Sequence, residues 1–568
     1  MNELLLHPVL PFLVGAVLIS RVPRRVGHVV MIAAPLVALG QIAALDTGTS
    51  VGLSYLHYDL EVLRVDALST PFGVIFAIAG VIAGVYGLTV QRRMERTAAL
   101  AYAGGAIGVV FAGDLLTFFV FWEIKAVAST FVILARGTPV SGRAGMRYLF
   151  VHILGGKLLL AGVLLHHSQT GSLQFTGFDV TAASSLILAA CLLSAAVPPL
   201  HAWLADAYPT ASVAGTVFLS AYTTKAAVYA LARGFAGFEV LIYLGIAMAL
   251  FGVTYAMFEN DIRRLLSYHI VSQVGYMVAA VGVGTELAVN GATAHAFAHI
   301  LYKALLLMGA GAVLHATGIS RANALGGLAR RMRGVFVLYM VGAVSIAGFP
   351  LFSGFISKEL SVEAAYGEQL LWLVILMKVV AVGTFLSTGL KLPHSTWFGP
   401  EGAGPSSNTG ARVHVGAVPV TMFVAMGISA GLNLLLGLAP GLLYDLLPYP
   451  VDYTPYSLAK VLETSQVLLF TGLGFWILHE RLGTKPKVSL DTDWTYRRLP
   501  HVVANATAQW QAAGATPAVM GAALVRIRHA VARRFAVVHG PTPVTSMWAL
   551  GSVVLATSVL LLLMSLSS

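Results

Sequence analysis

The chain has 568 residues, of which 57% are apolar and only 10% charged, with a mean hydropathy of +0.82. A soluble domain carries about 25% charged residues, so this composition excludes a soluble multidomain enzyme. The net charge of +11 lies mainly as arginine in short loops between apolar runs, the bias that orients membrane proteins, and argues against a nucleic-acid partner.

Apolar runs of about 17–25 residues, long enough to cross a ~30 Å hydrocarbon core, follow one another from Leu4 to Leu566. They predict an all-α polytopic membrane protein of about sixteen transmembrane helices. The expected spans lie near 4–20, 26–45, 67–90, 97–112, 114–135, 146–167, 183–204 and 212–235 in the first part of the chain. They continue near 239–258, 264–284, 288–316, 334–357, 368–392, 415–437, 460–479 and 545–566. Leu4–Ser20 lacks a basic leader and a small-residue cleavage site before it and reads as a retained span. The basic loops, from Arg21/Arg24/Arg25 through Arg92/Arg93/Arg96, Arg136/Arg143/Arg147, Arg263/Arg264 and Arg321–Arg333 to His479–Arg498, all fall on one side of this arrangement. The positive-inside rule makes that side cytoplasmic and puts both termini outside, in a bacterial plasma membrane. From Trp494 to Val538, Arg526, Arg528, Arg533 and Arg534 alternate with apolar residues. That pattern predicts an amphipathic lateral helix on the cytoplasmic surface over 494–540, followed by an anchor helix at 545–566. The single Cys191 lies in an apolar run and excludes intrachain disulfides and cysteine-ligated clusters.

Seven ionisable side chains fall inside apolar spans: Glu123, Lys125, Lys157, Lys225, Lys303, Lys358 and Lys378. Each costs roughly 2.5–3.5 kcal/mol at mid-membrane, about 20 kcal/mol together, against a typical net stability of ~5–15 kcal/mol. They must therefore face the bundle interior, water or one another, which marks an ion or proton pathway. In HAFAHILYK, His295, His299 and Lys303 recur every four residues and form one stripe up a helix face. Imidazoles titrate near neutral pH, so the stripe suits stepwise proton transfer through water. Two histidines without a carboxylate or third ligand do not suggest a metal site. No cofactor motif is visible either.

Two spans carry helix breakers. AVPPLHAWLADAYP contains Pro198 and Pro199, and SIAGFPLFSGFISKE contains Gly348, Pro350 and Gly354. Irregular backbone at membrane depth is tolerated only inside protein or around a cavity. A pair of such spans in corresponding halves points to an inverted-repeat transporter.

Taken together, FWE, PPLHAWLADA, TTKAAVYALARG, DIRRLLSYHIVSQVGYM, HAFAHILYKALLLMGAGAV and GFPLFSGFISKE resemble the antiporter-like subunits shared by Mrp-type multisubunit Na+/H+ antiporters, respiratory complex I and membrane-bound hydrogenases. Among these the motifs are most similar to the D-type subunit of the Mrp antiporters. The resemblance implies two inverted five-helix repeats with broken helices, here 97–235 and 239–392. They would lie between N-terminal helices (1–96) and C-terminal helices (415–479). It also implies a line of charges at the midplane. Glu123 matches the family's fifth-span glutamate, Lys225 its eighth-span carrier, His295, His299 and Lys303 its eleventh-span relay, and Lys358 the site beside the twelfth-span break. The family commonly has a lysine, paired with that glutamate, where this chain has Ser194. Lys125 and Lys157 are extra lysines. Taking the turn between spans five and six near residue 140, Glu123 and Lys157 are equally far from it, about 25 Å along a helix. Lys157 is thus the expected partner of Glu123.

A buried amine gives up its proton more readily, and a nearby carboxylate reverses the effect. A Glu–Lys pair that opens and closes can thereby load the next site. The expected function is a proton or cation/proton translocating subunit of an Mrp-type antiporter, with other membrane subunits as partners and with no chemistry of its own. A proton-pumping subunit of a redox-driven complex and the membrane subunit of an inorganic-carbon uptake complex are the alternatives. Sodium sites need clustered oxygens, and a line of lysine and histidine favours protons.

Overall fold

The computed structural model describes residues 6–55, 58–90, 92–399, 413–482 and 491. Its helices, in chain order, are α1 (Leu10–Arg21), α2 (Arg24–Ala44), α3 (Ser69–Tyr86), α4 (Arg93–Phe111), α5 (Leu115–Leu134), α6 (Pro139–Thr170), α7 (Ala182–Ala195), α8 (Ala202–Ala207), α9 (Val213–Ala221) and α10 (Thr223–Gly234). They continue with α11 (Val240–Phe258), α12 (Ile262–Val283), α13 (Glu286–Thr317), α14 (Arg333–Ala347), α15 (Ser353–Gly367), α16 (Leu371–Thr384), α17 (Val420–Leu438), α18 (Gly441–Tyr444) and α19 (Leu458–Leu482). Two π-helical stretches, Phe385–Lys391 and His394–Phe398, prolong α16. The acidic loop after α2 forms an antiparallel hairpin of β1 (Ser50–Tyr55) and β2 (Tyr58–Arg64), an element absent from the all-α expectation.

Ten helices among the described residues are long and apolar enough to cross a membrane, and three shorter ones are apolar. Hydropathy alone suggests about sixteen, and the difference has local causes. The seventh, eighth and twelfth expected spans are each split in two, α1 is short, and α4 begins on Arg93, Glu95 and Arg96. The lateral helix at 494–540 and the anchor at 545–566 lie outside the described residues.

Side chains start and stop these helices. Asp114 caps α5, accepting from Leu116 N and Thr117 N at 2.8 Å each, and Asp261 caps α12 in the same way. Thr138 and Ser141 form a capping box at the start of α6. The two longest helices, α6 and α13, have 32 residues each and end on left-handed Gly171 and Gly318.

The hairpin marks one end of the bundle and the basic loops mark the other. Glu61 N in the hairpin donates to the α5 cap Asp114 at 3.0 Å. Asp66, just beyond β2, holds Arg233 at the end of α10 through two hydrogen bonds of 2.8 and 2.7 Å. Burial alone would raise the Asp66 carboxyl, but the charge and hydrogen bonds of Arg233, with help from Ser69 and Arg64, hold it below its ordinary value of 3.8. At the other end Arg147 forks onto Asp206, with Nε 2.6 Å from Oδ2.

The most enclosed helices are α12 and α13, whose apolar windows are 94% buried. The α11–α12 seam is close because Gly245 faces Gly275. A Cβ at Gly275 would sit 2.6 Å from Ala249 N, and one at Gly245 would sit 2.7 Å from Gly275 O. Small residues let membrane helices approach in this way.

Two outcomes follow. Gly275→Val forces the α11–α12 seam apart, so the detergent-solubilised protein should lose its monodisperse peak on size exclusion, whereas Gly427→Ala, at an open position, should not. Asp66→Asn should destabilise the protein at pH 7 by roughly 1–3 kcal/mol, seen as a lowered thermal midpoint. Because the folded carboxyl titrates below its unfolded value, this stabilisation is complete above 3.8 and fades as pH falls through the lower folded value, so wild type and variant should converge in acid.

Candidate functional site

The buried charges are distributed along the bundle in three groups. In the first, α5 brings Glu123 and Lys125 into the interior, both buried. The Glu123 carboxylate rests directly on Gly156 of α6, leaving no room there for a Cβ. Its Oε1 has no hydrogen-bond partner. Lys157 is the next residue of α6, and Lys125 follows Glu123 by two positions on α5. The Lys125 ammonium lies 3.4 Å from the Trp122 ring centroid and has no hydrogen-bond partner. On α7 the hydroxyl of Ser194, where the resemblance leads one to expect a lysine, is buried and also without a hydrogen-bond partner.

The second group is Lys225. Sequence predicts one continuous span over 212–235, but α9 stops at Ala221 and α10 starts at Thr223. Thr223 N bonds to the Tyr102 hydroxyl at 2.9 Å instead of to its own helix. The Lys225 ammonium donates to Ser220 O at 2.8 Å and to Thr224 Oγ1 at 3.3 Å. The lysine thus occupies a carbonyl released by the interruption just before it.

Lys358 repeats the arrangement. α14 ends at Ala347, Gly348 and Leu351 take positive φ of 85° and 74°, and α15 begins at Ser353. Pro350 lies in this break, while Gly354 sits in the first turn of α15, packed onto Ser345 O. The Lys358 ammonium turns back to donate to Ile346 O at 2.5 Å. Asn433 of α17 accepts from Ser353 at 2.7 Å and from Ser345 at 3.1 Å, tying the two sides of the break together. The break of the seventh span has Ala196 at φ 64° and Pro198–Pro199 as its turn. No lysine stands there, and Leu193 O accepts both from the Trp203 indole at 3.0 Å and from Ala196 N at 3.1 Å.

The third group is the α13 stripe. His295, His299 and Lys303 are all fully buried, with the two imidazole rings 6.3 Å apart. Hydrogen bonds run from Ser357 to His295 (3.2 Å), to Tyr302 (3.3 Å), to Gln273 (3.4 Å) and on to Thr384 (3.4 Å). His269 bonds to Ser387 at 2.7 Å, in the π-helical stretch after α16, a backbone form common at functional sites. Both nitrogens of His299 and the Lys303 ammonium have no hydrogen-bond partner. Lys378 is ion-paired, 3.1 Å from Glu359 of α15 and 3.3 Å from Glu463 of α19.

Residue-type reasoning missed His269, Gln273, Tyr302 and Glu359. The first two are spaced i, i+4 in SYHIVSQ, so periodicity carried their signal, and Glu359 is marked by adjoining Lys358 in SKE. Tyr302 is marked only by its place beside the stripe.

These features define a multi-pass helical membrane protein built around a buried line of ionisable side chains. The sequence pattern of the family described as NADH:quinone oxidoreductase/Mrp antiporter, TM, matches residues 112–386. The chain is 28% identical over 475 residues to the D-type subunit of the Na(+)/H(+) antiporter of Alkalihalophilus pseudofirmus, covering 76% of this chain and 94% of that one. It is 30% identical over 486 residues to an uncharacterized protein of Mycobacterium tuberculosis, covering 77% and 71%. Its fold is similar to a chain in the structure of the Mrp complex from Dietzia sp. DQ12-45-1b, with a TM-score of 0.70, 26% identity, and 82% and 98% of the two chains covered. The chain belongs to the NADH:quinone oxidoreductase/Mrp antiporter transmembrane family.

Asn433→Leu removes the acceptor that Ser345 and Ser353 share and leaves the two hydroxyls only each other and Gly354 N as partners. It should lower stability by roughly 1–3 kcal/mol, measured as the shift in thermal midpoint in detergent.

Proposed function

We propose that the chain is the proton (or cation/proton) translocating subunit of a multisubunit Mrp-type antiporter, held among other membrane subunits. The observation that carries this reading is the seating of Lys225 and Lys358, each on a carbonyl released by a helix interruption. An ammonium so placed has a ready acceptor and no fixed counter-ion. It can shed its proton when a neighbour becomes charged and regain it when that charge is paired. Glu123 with Lys157 forms the switching pair at one end, and Lys125 adds a second cation beside it. Lys225 is the central carrier, and His295, His299 and Lys303 lead to Lys358. Hard oxygen clusters of the kind sodium needs are not part of this line, which favours protons.

The proposed inverted repeats, 97–235 and 239–392, are supported by matching helices of opposite sense. α6 and α13 are third in their repeats, have 32 residues each, and carry Lys157 and Lys303 at nearly the same position. A broken span follows each. The proposed setting is a bacterial plasma membrane, with the basic loops and lateral helix cytoplasmic and both termini outside. The family's description also names NADH:quinone oxidoreductase, and a pumping subunit of a redox-driven complex is the second reading.

Lys225→Ala and Lys358→Ala should each abolish pH-gradient-driven ion exchange, a loss of more than about 100-fold, in vesicles containing the native complex, while the subunits still co-purify. Wild-type exchange in either variant contradicts the carrier role. Lys157→Ala should cost more than Lys125→Ala, and the reverse order would assign the pair to Lys125. The identity of the co-purifying subunits separates the two readings: small antiporter subunits support the first, and iron–sulfur or flavin subunits support the second.

A further inference from the structure

Beyond Lys358 the buried line does not end in apolar packing. A cleft against the broken twelfth span is lined by Lys358, Glu359, Lys378 and Thr464, and so joins the carrier to a second set of charges. In this set the Lys378 ammonium is shared, 3.1 Å from Glu359 Oε1 and 3.3 Å from Glu463 Oε1. Lys460 pairs with Glu363 at 3.0 Å, and the Thr464 hydroxyl reaches Glu359 Oε1 at 3.5 Å. The other oxygen of Glu359 is buried without a hydrogen-bond partner. Three carboxylates and, with Lys358, three ammonium groups make the whole set neutral.

Exposure rises in order along this set. The Glu359 side chain is 6% exposed, Lys378 21%, Glu363 28% and Glu463 48%. Depth falls with it. Glu359 lies about 12 Å from the hairpin-side end of α15, Lys378 about 10 Å from the start of α16, and Glu463 about 8 Å from the start of α19. A half-exposed carboxylate at that depth is costly against lipid, so Glu463 faces water or a wet seam.

We propose that Glu359, Lys378 and Glu463, flanked by Glu363 and Lys460, form the proton outlet of the second half, opening on the hairpin side between α15, α16 and α19, with Lys378 as its gate. The proposal rests on Lys358 being a proton carrier. A proton leaves the Lys358 ammonium through water and bonds to the free oxygen of Glu359. The neutral carboxyl no longer holds Lys378, which stays with Glu463 and uncovers Glu359. The proton then passes to water on the hairpin side, Glu359 is charged again, and Lys378 returns to close the route.

The test uses the native complex in vesicles of both orientations, carrying Glu463→Cys in a Cys191→Ser background, and a membrane-impermeant thiol reagent. Where the Glu463→Cys complex retains transport, reagent added on the hairpin side should cut it at least fivefold, leave the Cys191→Ser parent unchanged, and have no effect from the basic-loop side. Glu359→Gln should reduce transport at least tenfold with the complex assembled, and it decides the matter if Glu463→Cys does not assemble or does not transport before labelling. Full transport after labelling, labelling only from the basic-loop side, or wild-type transport by Glu359→Gln each overturns the outlet. Lys225→Ala serves as the control. If it transports normally, the carrier reading itself fails. If it is inactive while the outlet variants behave as wild type, only the outlet fails.

Discussion

A helix interrupted inside an apolar slab leaves carbonyl groups that water cannot reach, and each one needs a donor. In this chain a lysine supplies it twice, Lys225 at Ser220 O and Lys358 at Ile346 O. The arrangement settles two problems together. The backbone gains a strong charge-assisted hydrogen bond, and the ammonium gains a polar seat where lipid would make it prohibitive. Much of the surrounding structure serves those seats. Tyr102 receives the free Thr223 N–H, and Asn433 clamps the serines on either side of the second break.

Legibility from sequence followed the physics of each feature. Long apolar runs are unmistakable, because composition and length alone decide whether a segment fits a bilayer, and ten of the expected spans coincide with long apolar helices among the described residues. Proline and glycine announced the breaks of the seventh and twelfth spans. The interruption at Tyr222 carries no such breaker, since it is made by a distant hydroxyl, that of Tyr102, capturing one amide. The hairpin between α2 and α3 went unread for a similar reason. Its strands, SVGLSY and YDLEVLR, mix apolar with polar residues outside the long apolar runs, and they are fixed by contacts such as that of Glu61 with Asp114, which lie far apart in the chain.

Site residues divide in the same manner. The His295, His299 and Lys303 stripe is a matter of helical spacing, so it could be read directly. The surroundings of Glu123 could be read only in part. Equal distance from a turn points to Lys157, the residue that follows the Gly156 on which the carboxylate rests. The i, i+3 spacing of Trp122 and Lys125 accounts for the ammonium lying over the ring. The pairing of Lys378 with Glu359 depends on how α15 and α16 turn about the loop that joins them, and periodicity says nothing of that rotation.

The glycine seam between α11 and α12 has a consequence for speed. With Gly245 and Gly275 in backbone contact, neither helix has the slack to slide past the other without parting the seam. Collective helix shifts run on microsecond to millisecond scales, whereas side-chain rotations are complete within nanoseconds when unhindered. A scaffold locked along this line therefore leaves movement to lysine tethers, imidazole rings and water.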